Sequence, residues 1–312
     1  MTATLSEISR AYPCFGSTCG TVIAGDGPLF TAEEATGVAR EMLLRWHERF
    51  TRFDPTSELS RLNTSPHRVV QVSRELASMV RAAVEAAEAT GGLVDATLIG
   101  AIEHAGYTGD LPEPMPLADA LLLAPVRSAA QPARWHWWEE VVVDEIAGTV
   151  SRPPGLRFDG GGIVKGLVAD LLAAVLARHD RFVVDCAGDL RLGGLERRTR
   201  AVQVASPFGD EIVHTFELAD GGVATSGIGR RSWRDREGLP AHHLLDPFTG
   251  RSAFTGIVQV TAVAPTALEA EVRAKAALLS GPTGAGSWLP DGGVVVYDDG
   301  TADILAAAVE KR

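Results

Sequence analysis

Residues 159–189, DGGGIVKGLVADLLAAVLARHDRFVVDCAGD, join a glycine-rich turn, an apolar-faced helix and a hydrophobic strand. Apolar residues recur at helical spacing after the glycines, which predicts a helix from Ile163 to about His179. The run that follows, at 181–186, is typical of a strand. Because strands succeed one another along the chain with helices interspersed irregularly, the pattern predicts an α+β fold rather than a doubly wound sheet. The other strand-like runs are at 201–205, 256–264 and 293–297.

Helix signals outside this stretch are of the N-cap and C-cap kind. Thr31 and Thr266 are each followed three residues later by glutamate, the spacing of a capping box. The helix at Thr266 is predicted to end at Ser280. Another helix is predicted to begin near Ser73 and to end at a Gly-Gly pair. Residues 107–135 are rich in proline and alanine, and we expect a variable connection that contains a short helix.

The composition is that of an acidic globular protein. The 312 residues are 46% hydrophobic and 22% charged, with a formal net charge of −11. This charge argues against nucleic acid as the main partner, because binding a phosphate backbone needs a basic face. We find neither a signal-peptide pattern nor a window of transmembrane length, so a cytoplasmic location without a membrane span is expected. No clear linker divides the chain, and residues 1–312 are expected to form one domain.

Residues 224–250, ATSGIGRRSWRDREGLPAHHLLDPFTG, carry groups suited to a bound anion. The hydroxyls of Thr225 and Ser226 can donate hydrogen bonds, and the arginines that follow can donate forked ones. Either His242 or His243 can transfer protons near neutral pH. This stretch predicts a site without naming a reaction.

Two further elements could contribute to the same site. Backbone N–H groups at a helix N-terminus bind anions, and Lys165 adds a positive charge after the glycine-rich turn. The turn is neither a Walker A loop nor a dinucleotide-binding fingerprint, so a plain tight connection is equally open. Asp189 could place a carboxylate beside a site, although a hairpin turn with an Asx hydrogen bond is the favoured interpretation of that block alone.

Glu271 and Lys275 lie four residues apart on the helix predicted after Thr266. This spacing is typical of a surface ion pair that stabilises a helix by about 0.3–0.5 kcal/mol. Glu269 and Arg273 repeat the spacing one face over, which favours that interpretation.

Seven short blocks follow one another along most of the chain: Phe15 to Ser17, Phe53 to Asn63, Gly92 to Thr97, Asp159 to Asp170, Ala187 to Asp189, Ala224 to Gly227 and His243 to Gly250. Their order and content resemble the ApbE family of flavin transferases, the FAD:protein FMN transferases. No single block is specific, whereas seven in the same order are. The resemblance implies the fold of that family, with mixed or antiparallel sheets and flanking helices.

The resemblance also implies a reaction. Members of this family bind FAD, cleave its diphosphate and join FMN through a phosphoester to a threonine of an acceptor protein. That threonine stands in an Asp/Ser-Gly/Ser/Ala-Ala-Thr type of sequence. We therefore expect an FAD:protein FMN transferase. The alternatives are a pyrophosphatase that releases FMN and AMP from FAD, and an FAD-binding protein without turnover.

Carried over by position, the resemblance implies catalytic roles for His243 and Asp246. His243 is the candidate base or the group that orients the phosphate, and a core histidine bonded to Asp246 is the alternative. The implied FAD site is lined by residues from six of the blocks: Phe15, Phe53, Leu93, Val94, Asp95, Asp159, Lys165, Thr225, Ser226 and Leu244, with Leu245 as the alternative to Leu244.

The resemblance finally implies Mg²⁺, held by an aspartate and a threonine one helical turn apart and by a backbone carbonyl. At the matching positions this sequence has Glu271, Lys275 and Val168. Glutamate can bind a hard cation, but an ammonium group cannot. We therefore expect either a weakened metal site with Val168 and Glu271 as ligands, or a site in which Lys275 supplies the positive charge instead.

Overall fold

The structure of the protein, a computed structural model, describes residues 6–109 and 114–308. It confirms the predicted α+β fold, in which helices flank antiparallel sheets. Short 3-10 helices occur at Trp137–Glu140, Gly160–Gly162 and Ala285–Trp288. The α-helices are α1 (Ala32–Phe50), α2 (Glu58–Thr64), α3 (Arg74–Ala89), α4 (Ile99–His104), α5 (Leu117–Leu123), α6 (Val164–Leu176) and α7 (Ala267–Gly284).

The strands are β1 (Glu7–Cys14), β2 (Ser17–Ala24), β3 (Val69–Gln71), β4 (Val142–Asp144), β5 (Thr149–Ser151), β6 (Arg181–Cys186), β7 (Asp189–Gly193), β8 (Arg200–Ala205), β9 (Ile212–Leu218), β10 (Gly221–Gly227), β11 (Ser232–Arg234), β12 (Pro240–His242), β13 (Leu245–Asp246), β14 (Arg251–Ser252), β15 (Ile257–Ala264), β16 (Gly293–Tyr297) and β17 (Ala302–Leu305). Eight of them form one antiparallel sheet in the order β1-β2-β6-β7-β10-β15-β16-β17. The others form the sheet β3-β5-β4 and the pairs β8-β9, β11-β12 and β13-β14.

Helices α1, α6 and α7 pack on the main sheet. Helix α1 contacts β1 and β2, α6 contacts β6 and β7, and α7 contacts β10 and β15. The side chains buried between these layers form two large hydrophobic cores, one around Leu43 and Val184 and the other around Val260 and Leu278. The β8-β9 hairpin adds a smaller core that includes Val202. This layering brings α6 and α7 into contact with each other.

The three predicted helix starts are confirmed. The N-caps of α1, α3 and α7 are Thr31, Ser73 and Thr266, and each side chain accepts a hydrogen bond from the backbone of the third helical residue. The predicted end of α7 at Ser280 is also confirmed, because Gly281 has a φ of 69° that no helix interior tolerates. Residues 282–284 form a further helical turn beyond this kink.

Helix α6 is shorter than predicted. The expected range was 163–179, whereas the helix spans Val164–Leu176 and is preceded by a 3-10 turn made of the three glycines. The predicted strands are confirmed as β6, β8, β15 and β16, within one residue at each end.

The predicted connection at 107–135 does contain a short helix, α5, in its described part. Residues 110–113 lie outside the described residues. The end of the connection packs against the second core, where the N–H of Ala130 donates to the carbonyl of Leu279 at 2.8 Å. Among the residues that the structure describes, none of the helices has the length and apolar character needed to span a bilayer. The cytoplasmic location stays a prediction.

Candidate active site

Four charged side chains meet where α6, α7 and β7 come together, and we call them the charge cluster: Lys165, Asp189, Glu271 and Lys275. The Nζ of Lys275 lies 3.0 Å from Oε1 of Glu271, and the Nζ of Lys165 lies 3.9 Å from the same oxygen. Lys165 also donates a hydrogen bond to Oδ2 of Asp189. Glu271 is completely buried and Asp189 is 1% exposed. The cluster therefore joins three distant sequence blocks below the surface.

The interpretation of Glu271 and Lys275 as a surface ion pair is wrong. Both residues are buried, because this face of α7 turns inward against α6 and the main sheet. The neighbouring pair, Glu269 and Arg273, is partly exposed, with 2.6 Å between its charged atoms. The two pairs share one spacing, but only the outer pair is exposed to solvent screening.

Asp189 stands at the start of β7, immediately after a tight turn from β6. The turn residues Ala187 and Gly188 have φ values of 59° and 92°, as hairpin turns of this length require. The predicted Asx hydrogen bond exists, but Asp185 makes it, accepting from the N–H of Gly188 at 2.8 Å. Asp189 is left free to bind Lys165 and to accept from the N–H of Thr225 at 3.3 Å. The hairpin and the site carboxylate are thus both present.

The protonation of the cluster follows from burial and from its own charges. Burial disfavours the ammonium form of Lys165, but Asp189 and Glu271 outweigh this and raise the pKa of Lys165. Burial alone would raise the pKa of Glu271, yet Lys275, Lys165 and the N–H of Gly166 lower it below its usual range. At neutral pH Glu271 is therefore a carboxylate and Lys165 is an ammonium group.

His243 lies beside this cluster and is neutral at pH 7. Burial is the main cause that lowers its pKa well below 6.5, and Arg231, His242 and Lys275 add to the effect. The Nδ1 of His243 is 3.4 Å from the carbonyl oxygen of Arg231, which places the proton on Nδ1. The lone pair on Nε2 is therefore available to accept a proton.

His242, the other candidate of the pair, is a core residue. Its side chain is 1% exposed and its ring meets the edge of Phe254 at a centroid distance of 4.7 Å. Burial lowers the pKa of His242 to about 3. Its Nδ1 accepts from the N–H of Leu244 at 3.3 Å, and its buried Nε2 has no hydrogen-bond partner within the described part of the chain. Of the two histidines, His243 is the one whose unprotonated ring nitrogen is free to accept a proton.

Asp246 holds a turn and does not contact His243. Its Oδ1 accepts from the N–H groups of Gln131 at 2.9 Å and Phe248 at 3.1 Å. Its Oδ2 accepts from the hydroxyl of Thr249 at 2.9 Å. These contacts show that Asp246 holds the turn, and its catalytic role stays a prediction. They also remove the alternative in which His243 is bonded to Asp246.

Two predicted aromatic residues lie on loops outside the cluster. Phe15 forms the tip of the β1-β2 hairpin with a φ of 52°, and Phe53 is 48% exposed. Sequence reasoning missed Arg52, whose guanidinium group lies 4.2 Å from the centre of the Phe53 ring. The Nε of Arg52 also donates to Asp159 at 3.2 Å. Asp159 itself accepts from the N–H of Gly161 at 2.9 Å and so caps the glycine-rich turn.

The other predicted lining residues differ in where their side chains lie. Thr225 is exposed, and its hydroxyl bonds that of Thr261 at 2.8 Å, whereas Ser226 is buried. Leu93 is half-buried. Val94 and Leu244 are buried in the two large hydrophobic cores, so only their backbone could reach a ligand.

A cavity of about 430 Å³ opens beside Asp95. The carboxylate of Asp95 accepts from the N–H and hydroxyl of Thr97 at 2.8 and 2.7 Å, and burial raises its pKa. Sequence reasoning missed most of the cavity, although the aromatic run at 135–138 was a signal for it. Its charged and aromatic lining consists of Asp95, Arg134, Trp135, Trp137 and Phe248.

The donor groups of the cluster do not fit a divalent cation. Both oxygens of Glu271 have partners, because Oε2 accepts from the N–H of Gly166 at 2.8 Å and Oε1 accepts from Lys275. Both oxygens of Asp189 have partners as well. Val168, whose backbone carbonyl is the third implied ligand, lies inside α6 and is completely buried. Over residues 6–109 and 114–308, His, Cys, Asp and Glu side chains form no group of three or more arranged to hold a metal.

Residues 15–297 match the ApbE family, and the chain belongs to that family. It is 26% identical over 297 residues to the FAD:protein FMN transferase of Treponema pallidum, which covers 89% of this chain and 80% of that protein. It is 24% identical over 278 residues to the protein of the same name from Haemophilus influenzae, covering 85% and 78%.

Solved structures share the fold. The ApbE protein from Thermotoga maritima superposes with a TM-score of 0.77 at 24% identity, covering 96% of this chain and 97% of that one. The flavin transferase ApbE from Vibrio cholerae superposes with a TM-score of 0.73 at 20% identity, covering 97% and 98%. These structural similarities confirm the fold. The chemistry of the site has to be argued from the residues that form it.

Proposed function

We propose that this protein is an FAD:protein FMN transferase, whose residues 1–312 act as one domain. Family membership and relatives of that name support the proposal. One observation carries it: sequence blocks that lie far apart converge on a single site of opposite charges beside a free base. The converging residues are Lys165, Asp189, Thr225, His243 and Lys275.

The site suits attack on a diphosphate. FAD is the substrate, and its diphosphate places negative charge near the ammonium groups of Lys165 and Lys275. A threonine hydroxyl of the acceptor attacks the phosphorus on the FMN side. The new bond joins that oxygen to phosphorus, the bond from phosphorus to the bridging oxygen breaks, and AMP leaves with the bridging oxygen. The hydroxyl proton passes to Nε2 of His243, which is neutral before the reaction.

Aromatic surfaces near the cluster suit the rings of FAD. The N–H of Asp159 donates to the carbonyl of Ala96 at 2.8 Å, so the cavity beside Asp95 borders the glycine-rich turn. Phe53 and its guanidinium partner Arg52 border the same turn through the hydrogen bond from Arg52 to Asp159. A planar ring can stack at either surface while the diphosphate lies at the turn.

The test is transfer itself. Incubation with FAD and an acceptor that carries an Asp/Ser-Gly/Ser/Ala-Ala-Thr sequence should give an acceptor with covalent flavin fluorescence and a mass increased by one FMN group. An acceptor with valine in place of the threonine is the matched control and should stay unlabelled. Release of FMN and AMP without acceptor would indicate hydrolysis, and FAD binding without either product would indicate a binding protein.

A further inference from the structure

The ammonium group of Lys275 is largely buried, and only some of its N–H groups donate hydrogen bonds. Its side chain is 10% exposed, and one of its three N–H donors goes to Glu271. The other two have no protein acceptor within the described ranges. A Cβ placed on Gly162 would lie 3.4 Å from Cε of Lys275, so the lysine stem runs along the glycine-rich turn. The free donors therefore lie beside the turn where an anion would bind.

The hydrogen-bonding groups that remain free favour an anionic ligand over a cation. The cluster contains two ammonium groups and two carboxylates, and each carboxylate oxygen already accepts a hydrogen bond. A divalent cation would have to displace an ammonium group from Glu271 and would then stand next to two like charges. The diphosphate of FAD, in contrast, can accept hydrogen bonds from the two unused N–H donors of Lys275 without displacing any partner.

We propose that the ammonium group of Lys275 balances the charge of the FAD diphosphate in place of a divalent cation, with Glu271 as its positioning residue. The protein then binds FAD and transfers FMN without Mg²⁺. This inference rests on the proposed function for the identity of the ligand.

The first test compares metal conditions on the wild-type protein. Calorimetric titration with FAD should give the same Kd in excess EDTA and in excess Mg²⁺, and titration with Mg²⁺ alone should release no heat of binding. A Kd or a transfer rate that becomes at least about tenfold worse in EDTA and recovers with Mg²⁺ would overturn the inference. The proposed function would survive that result.

The second test uses variants, with thermal unfolding as a check that they fold. Lys275→Met should weaken FAD binding about tenfold or more, since it removes a charge-assisted hydrogen bond. Arg273→Met is the matched control, because Arg273 lies on the same helix but faces outward to Glu269 and Asp291. Equal FAD affinity in Lys275→Met and Arg273→Met would contradict the inference.

A third variant rebuilds an oxygen ligand set. Glu271→Asp combined with Lys275→Thr should bind FAD more tightly when Mg²⁺ is added, which the wild type should not do. If Mg²⁺ changes the FAD affinity of the double variant and of the wild type equally, the inference that Lys275 takes the place of a cation is contradicted. If FAD binds equally well with and without metal but no flavin reaches any acceptor under either condition, the proposed function fails, whereas the role of Lys275 in balancing the charge of bound FAD stands. Absence of FAD binding under both metal conditions would overturn both.

Discussion

Asp170 and Glu271 cap the N-termini of each other's helices. Asp170, on α6, accepts from the first two N–H groups of α7, those of Ala267 and Leu268, at 2.9 Å each. Glu271, on α7, accepts from the N–H of Gly166 in the first turn of α6 at 2.8 Å. Each carboxylate also lies at the positive end of the partner's helix dipole. This exchange fixes the two helix starts side by side and so sets the distance between Lys165 and Lys275.

Gly166→Ala should disrupt this exchange. A Cβ on Gly166 would lie 2.6 Å from both the carbonyl oxygen of Ala267 and the Cα of Leu268, so the helices must separate. We expect the free energy of unfolding, measured by urea denaturation, to fall by about 1–3 kcal/mol. Gly37→Ala is the control. It lies on the exposed side of α1 with no atom within 4 Å of a new Cβ, and it should stabilise by about 0.5–1 kcal/mol. Equal effects of the two changes would argue against close helix packing.

His243→Ala should lower the transfer rate by about 10²–10⁴, the usual contribution of a general base. FAD affinity should change little, because the imidazole acts on the acceptor hydroxyl. Single-turnover flavin transfer and calorimetric FAD binding measure the two quantities. His214→Ala serves as control, since His214 lies on β9 and packs against Phe216 away from the cluster. A wild-type rate in His243→Ala would assign the residue to structure.

The lowered pKa of His243 predicts that the rate of transfer declines only at an unusually low pH. Burial, with Arg231 and Lys275 nearby, holds its pKa well below 6.5, so the base form persists as the pH falls. The kcat/KM of transfer should therefore stay constant through pH 6.5 and decline only at lower pH. A pH-rate profile that loses half its activity near pH 6.5 would show that His243 titrates as an exposed histidine does.

His242 should make stability depend on pH. Its pKa is about 3 in the folded protein, compared with 6.5 in an unfolded chain. Between about pH 3 and pH 6.5 the unfolded chain binds more protons at His242 than the folded protein does. The contribution of His242 to the free energy of unfolding is therefore complete above about pH 6.5 and falls by about 1.4 kcal/mol for each pH unit below it. His242→Gln should reduce that slope of the free energy of unfolding by the same amount. At higher pH the two proteins should differ only by a constant. An unchanged slope would mean that His242 is not buried as a neutral ring.

Local signals made the four longest helices and four of the strands predictable. The N-caps Thr31, Ser73 and Thr266 mark helix starts through hydrogen bonds made within four residues, so the sequence alone reveals them. The burial of Glu271 and Lys275 could not be predicted in this way. Which face of a helix turns inward depends here on α6, about one hundred residues earlier in the chain.

The candidate site could also be predicted only where a single short motif carries the chemistry. Short motifs placed Lys165 and His243 in one site, because each motif carries its own chemistry. The cavity at Trp135 was missed, since its walls come from a proline-rich connection and from the turn at Phe248, which no periodic pattern links. The order of the blocks along the chain predicted the family, whereas the balance of charges required the packed structure.

The strand order of the main sheet has a consequence for synthesis of the chain. Strand β2 pairs with β6, so that Ile23 lies opposite Phe182. A ribosome therefore releases the β1-β2 hairpin, with Phe15 at its tip, long before its partner strand exists. During that interval one edge of β2 presents unpaired backbone groups, the kind of edge that recruits other chains. Pairing over such a sequence separation is also slow. Nascent chains that stop short of Cys186 should therefore depend on chaperones, whereas those that include β6 can cover the edge of β2 themselves.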